Sequence, residues 1–237
     1  AEMGFSGVNG RGNFSTLLSK LRSIGYYKEL FKFVYGDTVI NETRMQESLA
    51  QFIRSIQSFD SKFDIGKAQV NNENRPFPNY TIQENQGKDL FINPPVFDAN
   101  SNRIAGGLGC QGCHKAPEFD IDPNSKNNGI IGTIGSTSLD INNTKSPSLR
   151  DLINPNGLAN TPMMHTGELK TIQAVLNHYN NINIIRNTNL DAKLRPNNIG
   201  QKLNLTTDEI NSMVAFIKTL TGNAIYTDKR WSDPFIK

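Results

Sequence analysis

The sequence predicts an all-α fold, and three observations carry that prediction. Apolar residues recur at helical spacing in several separate segments, capping residues stand where those segments begin, and no run alternates with the period of two expected of a strand. With 237 residues the chain is long enough for one large domain or two small ones, and two is the better reading. No stretch approaches the ~18 consecutive apolar residues of a membrane-spanning helix. Lys and Arg total 25 against 22 for Asp and Glu, a formal charge of +3. The basic residues are scattered, which argues against a nucleic-acid binder.

In chain order, Phe14, Leu17, Leu18 and Leu21 share one helical face, and Tyr26 to Tyr35 continues as a short amphipathic run that stops at Gly36-Asp37. Asn41 caps a further helix running to about Ser58, with Met45, Leu49, Phe52, Ile53 and Ile56 on one face as expected core positions. From Val70 to Tyr80 the composition turns to Asn and Pro and reads as a connection between domains, with the boundary near residue 66. Gly87 to Phe91 closes a short helix, Ile92 to Gly109 is a loop, and residues 115 to 147 are irregular. Helical spacing resumes from Glu168 to Tyr179. Thr206-Thr207-Asp208-Glu209 opens a last helix to about Leu220, with Ile210, Met213, Val214, Phe216, Ile217 and Leu220 inward.

The two cysteines fall in Cys110-Gln111-Gly112-Cys113-His114. Cys-x-x-Cys-His is the attachment signature of c-type haem, in which both thiols form thioethers and the adjacent imidazole ligates iron. In a helical turn, residues three and four apart share a face, so both sulfurs and the imidazole can address one macrocycle. A structural zinc site would need about four Cys or His ligands, and no second pair exists. A thioredoxin-like pair would need a strand-helix-strand setting that this loop-rich neighbourhood does not offer. One covalent haem and no disulfide are therefore expected, with the porphyrin supplying apolar surface to the irregular segment that follows.

Over almost its whole length the chain resembles the C-terminal two-thirds of the bacterial di-haem cytochrome c peroxidases, a group that includes the MauG enzymes. The matching segments are Glu2-Met3-Gly4, Ala50-Gln51-Phe52 with Phe63-Asp64, Gly87 to Phe91, the haem motif, Pro147 to Arg150, Thr161 to Gly167 and Ser232 to Phe235. The resemblance implies a cytochrome c-like haem domain over residues 66–237. Residues 1–65 would be helices from the edge of an N-terminal, peroxidatic haem domain. The first haem motif would lie upstream of Ala1, so the chain reads as part of a longer protein.

The same resemblance assigns roles by position. Glu2 falls at the distal glutamate of the peroxidatic haem, which moves protons during peroxide cleavage; an ordinary solvated glutamate is the competing reading. The sixth iron ligand of the second haem is a methionine in typical peroxidases and a tyrosine in MauG-like members. That position, fourteen residues after His165, is Tyr179 here. Leu169, Ile172 and Leu176 place Tyr179 on an apolar helix face, whereas His178 points elsewhere. Met164 is the chief rival, Met163 a weaker one. His165 would be a structural residue beside the haem. Arg150 would pair with a haem propionate, with Lys145 a weaker candidate. A calcium ion would take backbone carbonyls of Asn160 and Pro162. The MauG tryptophan two residues before the first haem cysteine is Leu108 here.

The function implied is that of the haem c electron-transfer portion of an enzyme reducing hydrogen peroxide to water. Its expected donor is a small cytochrome c or a cupredoxin, its expected location the periplasm, and a homodimer its expected assembly. A mono-haem electron carrier without enzymatic activity and a MauG-like oxidase of a protein substrate are the alternatives.

Overall fold

Side-chain caps open six of the eight α-helices among the described residues, and the computed structural model describes residues 12–144 and 147–233. The chain divides into two compact units, Ala1–Gln57 and Ser58–Lys237.

The first unit holds α1 (Phe14–Ser23), α2 (Gly25–Tyr35) and α3 (Glu42–Ser55). Asn13 caps α1 by accepting from the Thr16 N–H, and Asn41 caps α3 by accepting from that of Arg44. Gly36 ends α2 in the left-handed region at φ 82°, which an L side chain adopts only at a cost. Arg22 on α1 holds the Ile40 carbonyl at 2.6 Å, and the Tyr35 hydroxyl donates to the Arg44 carbonyl at 2.8 Å, so the unit is tied through the start of α3. The expected core face of α3 is corrected here. Met45 is buried, but Leu49, Phe52, Ile53 and Ile56 are 40–66% exposed, because the short helices of this unit cover only the first turn of that face.

The second unit carries α4 (Lys62–Lys67), α5 (Ile82–Ile92), α6 (Ile172–Asn180), α7 (Thr207–Lys218) and the short α8 (Ala224–Thr227). Reciprocal capping boxes open three of them, Ser61 with Asp64, Thr81 with Glu84 and Thr206 with Glu209. α5 and α7 pack together at Gly87, where an added Cβ would collide with the Ser212 carbonyl. Phe63, Phe91, Phe119 and Phe216 meet beneath this pair in tilted and edge-on contacts with ring centroids 4.8–6.3 Å apart. The segment read as a connection, Val70 to Tyr80, lies within this unit. It buries Phe77 and Tyr80, and the Tyr80 hydroxyl bonds that of Thr219 at 2.6 Å.

The fold is mostly helical, as the periodicity predicts, but it also contains a small amount of antiparallel sheet that the sequence reading does not. β1 (Pro95–Phe97) pairs with β2 (Arg103–Gly106), and β3 (His114–Lys115) with β4 (Asp120–Ile121). Two to four residues are too few to show a period of two, so these strands leave no pattern to read.

Candidate functional site

Cys110–Gly112 forms a 3-10 turn, entered from Gly109 in the left-handed region at φ 69°, and Cys113 closes it. His114 then begins β3. The single helical turn expected from the spacing is thus a tighter turn followed by a strand. Leu108 fastens the segment to α5 through its N–H to the Leu90 carbonyl at 2.6 Å. Both thiols are free. Burial pushes the Cys110 thiol up to about 12, with the neighbouring Cys113 adding to the rise.

His114 is half-buried, and its Nδ1 lies 3.1 Å from the Phe119 carbonyl. A carbonyl only accepts, so Nδ1 carries the proton and the neutral ring keeps its Nε2 lone pair. Burial lowers the His114 pKa, while the carbonyls of Phe119 and Pro147 work the other way. Phe119 is itself held in the aromatic core at 2% exposure, so the acceptor that orients the imidazole is rigid.

Tyr179 comes to the two cysteines from α6. Burial raises its pKa, Cys113 and Cys110 raise it further, and a hydrogen bond from the Asn128 side chain opposes them. The same Asn128 amide donates to Met164 Sδ at 3.3 Å. Met164 adopts a left-handed backbone, φ 65°, which is uncommon for a residue other than glycine. His178, on the neighbouring position of α6, donates from Nε2 to the Asn128 carbonyl at 2.9 Å. The structure therefore brings Tyr179 to the thiols, and Met164 to Tyr179 through Asn128. No property of the sequence singles out Asn128, because an Asn before a Gly signals only a turn.

Other candidates are engaged elsewhere. The Arg150 guanidinium forks onto Asp64 at 2.7 and 2.9 Å and also donates to the carbonyls of Ser58 at 2.6 Å and Pro117 at 2.7 Å. One N–H of its five is left for any further acceptor. Burial works to raise the Asp64 pKa, but hydrogen bonds from Arg150 and Ser61 outweigh it and hold the carboxyl below the usual range. His165 is exposed, with Nε2 3.0 Å from the Gly132 carbonyl. The Asn160 side chain donates to the Asp151 carbonyl at 2.6 Å and the Tyr226 hydroxyl at 2.7 Å, and the Pro162 carbonyl accepts from the Thr161 hydroxyl at 3.2 Å. Among the described residues no group of three or more His, Cys, Asp or Glu gathers to hold a metal ion. Glu2 and Lys145 lie outside the described residues.

The donor set suits haem c: two free thiols for covalent attachment, an imidazole with its Nε2 lone pair available, and a phenol close to both thiols with a thioether behind it.

Comparison with known proteins agrees. The family model described as di-haem cytochrome c peroxidase matches residues 2–71. The methylamine utilization protein MauG of Methylophilus methylotrophus is 27% identical over 223 residues, covering 90% of this chain and 57% of that protein. The cytochrome c551 peroxidase of Nitrosomonas europaea is 25% identical over 215 residues, covering 85% and 51%. A crystal structure of a MauG-like protein associated with microbial copper homeostasis superposes with a TM-score of 0.62 at 20% identity, covering 94% of this chain and 67% of that one; this likeness speaks to the fold. The two curated relatives bear the names of a methylamine utilization protein and a cytochrome peroxidase. Both curated relatives and the family model point to the di-haem cytochrome c peroxidase/MauG group as what this chain is similar to. It spans about half the length of the curated relatives it matches.

Proposed function

We propose that this chain is the haem c electron-transfer portion of a di-haem cytochrome c peroxidase that reduces hydrogen peroxide to water. The observation that carries the reading is the free thiol pair beside an imidazole whose Nδ1–H is fixed on the Phe119 carbonyl. Cys110 and Cys113 would hold the haem covalently, and His114 would ligate its iron through Nε2. A haem bound there supplies a one-electron couple. The Phe119 carbonyl keeps the imidazole in one tautomer and one orientation, and burial at Tyr179 and Cys110 keeps water away from the thiols.

In this reading residues 1–65 are the remainder of the N-terminal haem domain and residues 66–237 the C-terminal one. A second haem is held upstream, and Glu2 moves protons there. The balance is one peroxide, two protons and two electrons to two waters. The electrons come from a small cytochrome c or a cupredoxin in the periplasm. No helix among the described residues is long and apolar enough to cross a membrane. A calcium ion on the carbonyls of Asn160 and Pro162 and a homodimeric assembly complete the proposal. Arg150 has a single N–H to offer a propionate, and His165 lines the loop that carries Met164.

Denaturing mass spectrometry of the chain, made in cells competent for haem attachment, should show the polypeptide plus one haem. A bare polypeptide mass would overturn the reading. Peroxide turnover by the intact protein with a reduced cytochrome donor then separates the peroxidase from a mono-haem carrier, which shows none.

Tyr179 beside both thiols favours a second reading, a MauG-like oxidase of a protein substrate, since an anionic oxygen ligand favours higher oxidation states of iron. In the haem-loaded protein, Tyr179→Phe should alter the ferric spectrum and raise the reduction potential. An unchanged spectrum would remove tyrosine as the ligand.

A further inference from the structure

The two rivals for the sixth iron position share one polar neighbour. The Asn128 amide nitrogen donates to Met164 Sδ at 3.3 Å, and the same side chain is near enough to Tyr179 to work against the rise of its pKa. Its orientation is not arbitrary. Asn128 Oδ1 accepts from the Ile130 N–H at 3.1 Å, which turns the nitrogen, with its N–H donors, toward the sulfur. The main chain of Asn128 is pinned by His178 Nε2 on its carbonyl at 2.9 Å, and the His178 ring crowds Gly129, where an added Cβ would lie 3.2 Å from Cε1. The turn that carries the amide is therefore anchored to α6, the helix that carries Tyr179.

We infer that Asn128 is a positioning residue that reserves the sixth iron position for Tyr179 by holding Met164 as a hydrogen-bond acceptor. The inference rests on the proposed haem at His114. A thioether sulfur is a weak acceptor that uses the same lone pairs for a hydrogen bond as for a metal. Occupied by an amide N–H, with its backbone already in the left-handed region, Met164 is steered away from a metal.

The test uses the full chain loaded with haem and reads its ferric electronic and paramagnetic resonance spectra. Met164→Leu should leave the wild-type spectrum unchanged. Asn128→Leu, which keeps the volume and removes both N–H donors, should lose part of the oxygen-ligated signature and gain a thioether-ligated one. The double variant Asn128→Leu/Met164→Leu should lack that gain. An Asn128→Leu spectrum identical to wild type, or a thioether-like change that persists without Met164, would overturn the inference. If Asn128→Leu does not fold, Asn128→Asp keeps the shape and the bond to Ile130 while removing the N–H donors, and the same outcomes apply. Tyr179→Phe separates the two levels of the argument. A spectral change there with none in the Asn128 variants overturns the role of Asn128 alone, whereas no change in Tyr179→Phe overturns the tyrosine ligand and the inference with it.

Discussion

α3 and α7 are two amphipathic helices of 14 and 12 residues, each opened by a side-chain cap, yet only one is buried. α7 puts Met213, Phe216 and Ile217 into the core, with Leu220 following at 0% exposure. α3 buries Met45, and the rest of its apolar face is open. The difference does not lie in the helices. α7 meets α5 at Gly87, where the missing side chain lets two backbones approach, and the pair closes over an aromatic cluster. Helical spacing announces a face fit for burial, but burial needs a partner surface, and the spacing is silent about that.

The largest expected effect tests the buried member. Phe216 is fully buried against the rings of Phe63, Phe91 and Phe119. Phe216→Ala should cost about 3–5 kcal/mol in denaturant unfolding, through lost transfer energy and a cavity that these rings cannot fill. A loss under ~1 kcal/mol would mean that the aromatic cluster is not what closes this unit.

Arg150 and Asp64 come next, because they join α4 to the segment after residue 147. Removing the guanidinium in Arg150→Ala leaves a carboxylate in a half-buried site with carbonyls in place of its partner, a loss of about 3 kcal/mol near neutral pH. The sign with pH follows from the direction of the shift. The Asp64 pKa is lowered on folding, so its contribution is fully present above its unfolded value of ~3.9 and is lost as pH falls through the folded value. The gap between wild type and Arg150→Ala should therefore shrink on acidification below about pH 4. A gap that widens in acid would contradict the pairing.

How much of this could be read beforehand depends on the range of the contact. The caps at Asn41 and Thr206, the inward face of α7 and the stop at Gly36 are local, and the sequence shows them. So is the haem motif, whose residue types leave few alternatives. The Thr81 and Glu84 capping box is also local and leaves a Thr-x-x-Glu pattern that marks the start of α5. The Asn- and Pro-rich stretch from Val70 misled because composition reports flexibility of the main chain, while Phe77 and Tyr80 within it supply burial. Arg150 with Asp64, and Asn128 with Met164 and Tyr179, join residues far apart in the chain, and nothing near any of them indicates its partner.

A smaller effect probes the glycine contact that distinguishes α7 from α3. Gly87→Ala raises helix propensity, which in an exposed helix would stabilise by up to ~1 kcal/mol. Here the new methyl meets the Ser212 carbonyl and the Phe216 Cβ, so α5 and α7 must move apart, and a net loss of about 1–3 kcal/mol is expected. A gain in stability would show that the two helices pass each other with room to spare.

The smallest effect belongs to α3. Ile53 is 66% exposed, so Ile53→Thr removes little apolar surface from contact and exchanges one β-branched residue for another of similar helix propensity. Unfolding of this chain should change by less than about 0.5 kcal/mol, the range of ordinary surface substitutions. Met45→Thr, in the first half of the same face and 8% exposed, should cost several times more. Equal losses at the two positions would mean that the outer half of the α3 face is covered in solution after all, and the contrast with α7 would then be one of degree rather than of kind.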